Sequence, residues 1–481
     1  MSSKTDSRNS KCDLSRRDFL GGCAACAAGF SALSALGAST APAAVPADLL
    51  QPVNRQKTKV RLVFAHPSSE KPCWPNIGYD FEAHKKQVLE KLRASCPNTE
   101  FLVVTAQKDD HAKEILKSDS QVDGYLLYMA GCLWGNVPET IAASGKPMVI
   151  ADNLYAGSGK FLTGYAKTRR EGFKVIAVSS SNFQDLIDAV KCLECVKKLR
   201  SSAILVVGRK PDTEIEQQYG TKVVPVTFEQ FGEAHSKVNV IEACKWADRW
   251  MRQAQKVVEP SRQDIEKSGT IYLTMLELMR EHNAQAITIN CLGGFYGGHM
   301  PGYPCLGFMQ LDNDGLVGAC EGDQRSTMTK LLMTYLVGRP GFISDPVIDT
   351  AKNQIIYAHC VAPTKVFGPD GRANPYHIRS HSEDRKGASV RSLMPLGEMT
   401  TTIEFDHKKK QVIFHQGKTV ENVDEDKACR TKLAVEVKGD IYKLLNYWDQ
   451  WGWHRVTFYG DLKRPVYNVA ALLGFEVVEE A

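Results

Sequence analysis

Several things are scarce in this 481-residue sequence, and each shortage excludes a class of function. Beyond the first fifty residues no apolar run approaches the roughly 20 residues that cross a bilayer, so no stable membrane insertion of the mature chain is expected. There is no basic stripe. The 60 Lys and Arg against 55 Asp and Glu leave a net charge of +5 spread thinly, which argues against nucleic acid as a partner. There is no phosphate loop: Gly157-Ser158-Gly159-Lys160 has Leu154 where a first glycine would stand and Phe161 where Ser or Thr would hold magnesium. The dinucleotide spacing is also missing. Gly293-Gly294-Phe295-Tyr296-Gly297-Gly298 follows a strand-like run but heads into Pro301, and reads either as a loop letting backbone approach a ligand or as simple flexibility. Nor is there a disulfide framework. Of the 14 cysteines, Cys12, Cys23 and Cys26 fall in the N-terminal leader, and the rest are odd in number and scattered. Cys192 and Cys195 form a lone C-x-x-C on a helical segment. Without the second pair that a zinc or cluster site needs, they read as two packed thiols.

What is present begins with an address. Ser15-Arg16-Arg17-Asp18-Phe19-Leu20 is a twin-arginine pattern, followed by a short weakly apolar stretch and the small residues Ala41 to Ala47. Residues 1–47 therefore read as a Tat export signal, which implies the Tat translocase as a transient partner and a periplasmic or other extracytoplasmic destination. The 43% apolar and 24% charged composition is that of a globular chain long enough for two to three domains.

Strand-like and helix-like segments alternate from Val60 onward, the pattern of βαβ units around a parallel sheet. The expected fold is α/β: two successive Rossmann-like parallel-sheet lobes, 48–172 and 173–345, followed by a β-rich, small barrel-like C-terminal domain over 346–481. The second round is taken to open with the strand Val175–Val178. Short strands separated by turn residues, among them Ile355–Cys360 and Met399–Phe405, mark the third unit.

Metal-type ligands stand at element ends. Glu321, in Ala319-Cys320-Glu321-Gly322-Asp323, sits where a strand gives way to a helix. Asp345, in Phe342-Ile343-Ser344-Asp345-Pro346, sits where the next strand is taken to have finished, on one edge of the same lobe. His454, in Gly452-Trp453-His454-Arg455, precedes a late strand. Two carboxylates and an imidazole, with open positions for substrate oxygens, suit octahedral Mn²⁺ or Mg²⁺ rather than a closed zinc site.

These residues carry a resemblance. The stretch from Ala319 to Asp323, the helix after it and Phe342-Ile343-Ser344-Asp345 resemble the metal-binding segment of the L-fucose isomerase family. The ending is similar too, in Asp440-Ile441-Tyr442, Trp451-Gly452-Trp453-His454, Tyr459-Gly460-Asp461 and Gly474-Phe475-Glu476-Val477. The resemblance to the fucose/arabinose isomerase group implies a divalent-metal-dependent aldose–ketose isomerase acting on a monosaccharide through a cis-enediol. It implies Glu321, Asp345 and His454 as metal ligands, with Glu321 and Asp345 also the acid/base pair, and a homo-oligomer. Asp323, two residues from Glu321, is a substitute ligand. The alternatives are a non-catalytic carbohydrate-binding protein on the same lobes and a metal-assisted sugar epimerase.

Secondary candidates have two readings each. His377, Arg379 and His381 alternate, so on a strand they share one face, either lining a pocket or meeting solvent. His359, at a strand end, and His299, beside the glycine-rich loop, read as pocket or core histidines. Trp448, Trp451 and Trp453 either stack on a sugar ring or pack between domains. Tyr303, in Tyr303-Pro304-Cys305, shapes a turn near the substrate.

Overall fold

β-Branched apolar runs become strands, and between them amphipathic segments fold back as helices over both sheet faces. The computed structural model describes residues 49–50 and 56–481; the segment read as an export signal lies outside the described residues. The first sheet is parallel, in the order β2-β1-β3-β4-β5, from β1 (Thr58–Ala65), β2 (Thr99–Ala106), β3 (Gly124–Met129), β4 (Met148–Asp152) and β5 (Val175–Val178). The strand expected to open the second lobe thus closes the first sheet, pairing Met148 with Val175. The helix Phe183–Arg200 is the real crossover to the second sheet, and hydrophobic spacing alone cannot reveal which neighbour an edge strand chooses.

The second sheet is parallel in the order β10-β9-β6-β7, with β6 (Ala203–Val207), β7 (Lys222–Val226), β9 (Ala286–Ile289) and β10 (Val317–Ala319). Strands β6, β9 and β10 are wholly buried, as a sheet covered on both faces requires, while the edge strand β7 is part-exposed. The glycine-rich stretch after β9 is not an open loop. Cys291–Tyr296 is a short helix, and its glycines serve close packing: a Cβ at Gly294 would meet Met300 Sδ at 2.6 Å. Gly157-Ser158-Gly159-Lys160 leads into the helix Ser158–Arg170, where buried Lys160 faces Glu139 at 3.4 Å. Cys192 and Cys195 are both buried in Phe183–Arg200, as packed thiols should be.

The third unit is an antiparallel barrel. Strands β11 (Phe342–Asp349), β12 (Gln354–His359), β17 (Thr431–Val437), β16 (Gln411–Asn422), β15 (Met399–Asp406) and β18 (Arg455–Tyr459) run in the order β15-β18-β11-β12-β17-β16. Pairing of β15 with β16 closes the ring, and β19 (Glu476–Glu479) adds in parallel to β16. A small sheet of β8 (Lys256–Val257), β13 (Tyr376–Arg379) and β14 (Ser389–Ser392) lies apart from the ring. Asp345 is therefore not past the end of a lobe strand. It lies within β11, a barrel strand, so the two carboxylates come from different units. No helix among the described residues is long and apolar enough to cross a membrane.

Candidate metal centre and substrate cavity

Barrel register brings the site together. β11 pairs with β18 through Ser344 and Arg455 and with β12 through Asp345 and Ala358. Asp345, His359 and His454 thus come from one end of three neighbouring chain segments. Each offers a ligand atom, and these atoms lie within 4.8 Å of one another. Glu321 arrives from the second lobe, two residues past the carboxyl end of β10. It occupies the left-handed region at φ +64°, followed by Gly322 at φ +66°. A non-glycine residue there costs about 1–2 kcal/mol, and such strain persists where surroundings over-determine it.

The distances are short. His454 Nε2 lies 3.2 Å from Asp345 Oδ1 and 3.5 Å from Glu321 Oε2. His359 Nε2 lies 3.7 Å from Glu321 Oε1. His454 Nε2 thus stands between Glu321 and Asp345, while the ligand-type groups that come within 4.8 Å of one another are Asp345 with His359 and His454, and Glu321 with Cys320 and His359.

Asp323 is on the other side of the histidine. Its Oδ2 accepts from His454 Nδ1 at 2.9 Å, while its Oδ1 accepts the Ser326 N–H and caps the helix Gln324–Val337. It orients the ring rather than competing for a ligand position, and leaves Nε2 to face Glu321 and Asp345. That Nε2 is buried without a hydrogen-bond partner, as is Nε2 of His359. The His454 Nε2, facing two hard carboxylate oxygens, fits a cation of the Mn²⁺ or Mg²⁺ class.

The two imidazoles differ. Burial alone would depress His454, but its hydrogen bond to Asp323 and the carboxylate of Asp345 beside it outweigh that and push it up to about 10. The ring is therefore held as imidazolium in the absence of an ion, and a bound cation would take the place of its Nε2 proton. Burial holds His359 down at about 4, so it is neutral. The Cys360 N–H donates to His359 Nδ1 at 3.0 Å, which puts the remaining proton on Nε2. His359 is a hydrogen-bond donor in the site.

The carboxylates are split as well. Burial and the nearby Asp345, Glu383 and Asp323 raise Glu321, against the pull of His454. Asp345 is also buried, yet the adjacent His454 imidazole, the nearby His359 and the Trp453 indole leave it below its ordinary value. The two neighbouring carboxyls are thus pushed apart, Glu321 upward and Asp345 downward.

Glu321, Asp323, Trp453 and His454 open on a cavity of about 410 Å³. Its wall also carries Arg209, whose side chain lies against Gly322 and which stands two residues past the carboxyl end of β6, where open α/β sheets commonly bind ligands. Arg325 is occupied by Glu404 and Asp406, and Lys408 by Asp212, whereas Arg209 has no carboxylate partner among the described residues. Sequence reading missed Arg209; its place after a buried strand was the available signal.

The chain is similar to proteins named sulfoquinovose isomerase. With that of Clostridium sp. (strain MSTE9) it is 22% identical over 303 residues, 59% of this chain and 66% of the relative. With that of Priestia aryabhattai it is 21% identical over 312 residues, 60% and 67% respectively. The chain spans about two thirds of the length of the curated relatives it matches. No family model matches it.

The remaining candidates divide. Trp453 is 67% exposed and its indole donates to Asp345, so its ring is free at the mouth. Trp448 and Trp451 are buried and pack against Arg455 and Lys409. Arg379 does not reach the site: it is held by Glu259 and Asp426. β13 ends at Arg379, so His381 lies beyond the strand, buried against Phe295 and Tyr303 and 3.4 Å from Asp384. The Tyr303 hydroxyl donates to Asp384, and Tyr303 lines a second cavity that shares no wall residue with the first. His299 stacks on Phe228.

Proposed function

We propose that the chain is a divalent-metal-dependent aldose–ketose isomerase acting on a monosaccharide through a cis-enediol. The observation that carries this reading is the unpartnered His454 Nε2 facing Asp345 and Glu321 while Nδ1 is tied to Asp323. The distant relatives named as sugar isomerases support it.

Glu321, Asp345 and His454 would hold Mn²⁺ or Mg²⁺. When bound, the cation supplies electrophilic stabilisation of the charge that develops on the substrate oxygens. Asp345, kept ionised by its neighbours, is suited to remove the proton from the carbon beside the carbonyl, and Glu321, raised by burial, to return one at the adjacent carbon. His359 donates Nε2–H to a substrate oxygen, and Trp453 offers a ring face to the sugar. Arg209 suits an anionic substituent, which makes sulfoquinovose the first sugar to try. The twin-arginine pattern supports export through the Tat translocase, and the family resemblance a homo-oligomer.

The test is proton exchange at C2 in deuterated water, with Mn²⁺ and a panel of aldoses including sulfoquinovose. Exchange with ketose formation is expected. Exchange without ketose would make the protein an epimerase, and tight binding without exchange a carbohydrate receptor.

A further inference from the structure

The strand that follows His454 opens with a buried charge. Arg455 is fully buried, at 0% exposure, and its guanidinium points back under the loop that carries the site's tryptophan and histidine. Nη2 donates to Trp448 O at 3.1 Å, and Nη1 to Gly452 O at 3.3 Å and to His454 O at 3.0 Å. The Trp448 ring covers the same guanidinium at 4.2 Å, and the Trp448 indole donates to Trp453 O at 2.8 Å. One side chain therefore holds the loop at both ends, and Trp453 and His454 sit on it.

The guanidinium is in turn set by Glu480, just past β19. Glu480 Oε1 accepts from Arg455 Nε at 3.1 Å, and Oε2 from Nη2 at 3.0 Å. His415 Nδ1 lies 2.9 Å from Oε1, and the far side of His415 meets the Tyr357 hydroxyl. The Glu480 side chain is 2% exposed, and a two-point fork of this kind fixes the orientation of the guanidinium plane as well as its charge.

We propose that Glu480 is a positioning residue for the metal centre, aiming His454 through the Arg455 clamp. It touches neither the ion nor the sugar. This rests on the metal-centre reading above, and its test has a readout independent of that reading.

The experiment uses the full chain with Glu480→Gln, and Arg455→Lys as the second variant, which keeps the charge but loses the fork. Hydrogen exchange of the 448–454 amides is measured by mass spectrometry, together with Mn²⁺ affinity from the free-ion paramagnetic resonance signal and the melting curve. The expected result is exchange in 448–454 faster by tenfold or more, with strands β11 and β12 unchanged, and Mn²⁺ affinity weakened about tenfold. A variant that melts earlier but keeps wild-type exchange in 448–454 would overturn the proposal, because the pair would then stabilise the barrel without holding the loop. Loosened amides with unchanged Mn²⁺ affinity would overturn the link to the metal centre. If the wild-type chain binds no Mn²⁺ while the exchange result holds, the clamp stands and the metal reading fails.

Discussion

Asp323→Asn separates the two duties of one carboxylate. Asparagine caps a helix about as well as aspartate, so the start of Gln324–Val337 should survive, while loss of the buried carboxylate–imidazolium pair should destabilise the metal-free chain by about 1–3 kcal/mol. The contact to His454 Nδ1 changes in kind. An ionised acceptor at 2.9 Å becomes a neutral amide, and if the amide nitrogen turns toward the ring it donates to Nδ1. In the wild type Asp323 keeps the last ring proton on Nδ1, so an ion can displace the one on Nε2; in the variant the last proton is held on Nε2, the atom facing Asp345 and Glu321. Losing the outer carboxylate of such an arrangement typically weakens metal affinity or activity 10–100-fold, or roughly 1.4–2.8 kcal/mol. The assay is titration of the variant with Mn²⁺, reading the free ion, beside urea denaturation of metal-free protein. Wild-type Mn²⁺ affinity in a correctly folded variant would refute the assignment of Asp323 as the group that orients His454.

Further outcomes follow from other residues. Glu321→Gln should lower C2 proton exchange by about 10²–10⁴ while leaving the metal-free protein at least as stable as wild type, because burial and neighbouring carboxylates disfavour the Glu321 charge; unfolding midpoints and deuterium incorporation check both halves. Despite burial, Arg455 and His415 hold the Glu480 carboxyl down at about 2, against an ordinary value near 4.3. Its stabilisation is complete above the ordinary value and is lost as pH falls through about 2; the full term is roughly 3 kcal/mol. The stability gap between wild type and Glu480→Gln, read from urea melts, should therefore narrow between pH 6 and pH 2.5. Gly318→Ala should destabilise by about 1–3 kcal/mol, since a Cβ there would stand 2.7 Å from the Phe308 Cα under the strand that delivers Glu321; an unchanged urea midpoint would contradict that packing.

Much of the fold was legible because buried parallel strands and amphipathic helices have different periods. The succession of α/β segments and the change to short strands after residue 345 both follow from that. Partner choice was not legible. β5 has the same Val/Ile pattern whether it opens a second sheet or closes the first, and Asp345 reads as a loop residue until β11 is seen pairing on both sides. Glu321, Asp345 and His454 stood out in the sequence from their motifs, and the fold sets both carboxylates beside His454. The duty of Asp323 was not, because residue spacing does not say which ring nitrogen a carboxylate meets. Arg379 looked available because its neutralising partner, Glu259, lies 120 residues away.

The central claim is that Glu321, Asp345 and His454 jointly hold a hard divalent cation. Crystals grown with Mn²⁺ and measured at the manganese absorption edge test it directly. An anomalous peak between the two carboxylates and His454 Nε2 is predicted; a peak elsewhere, or none at saturating Mn²⁺, would contradict it.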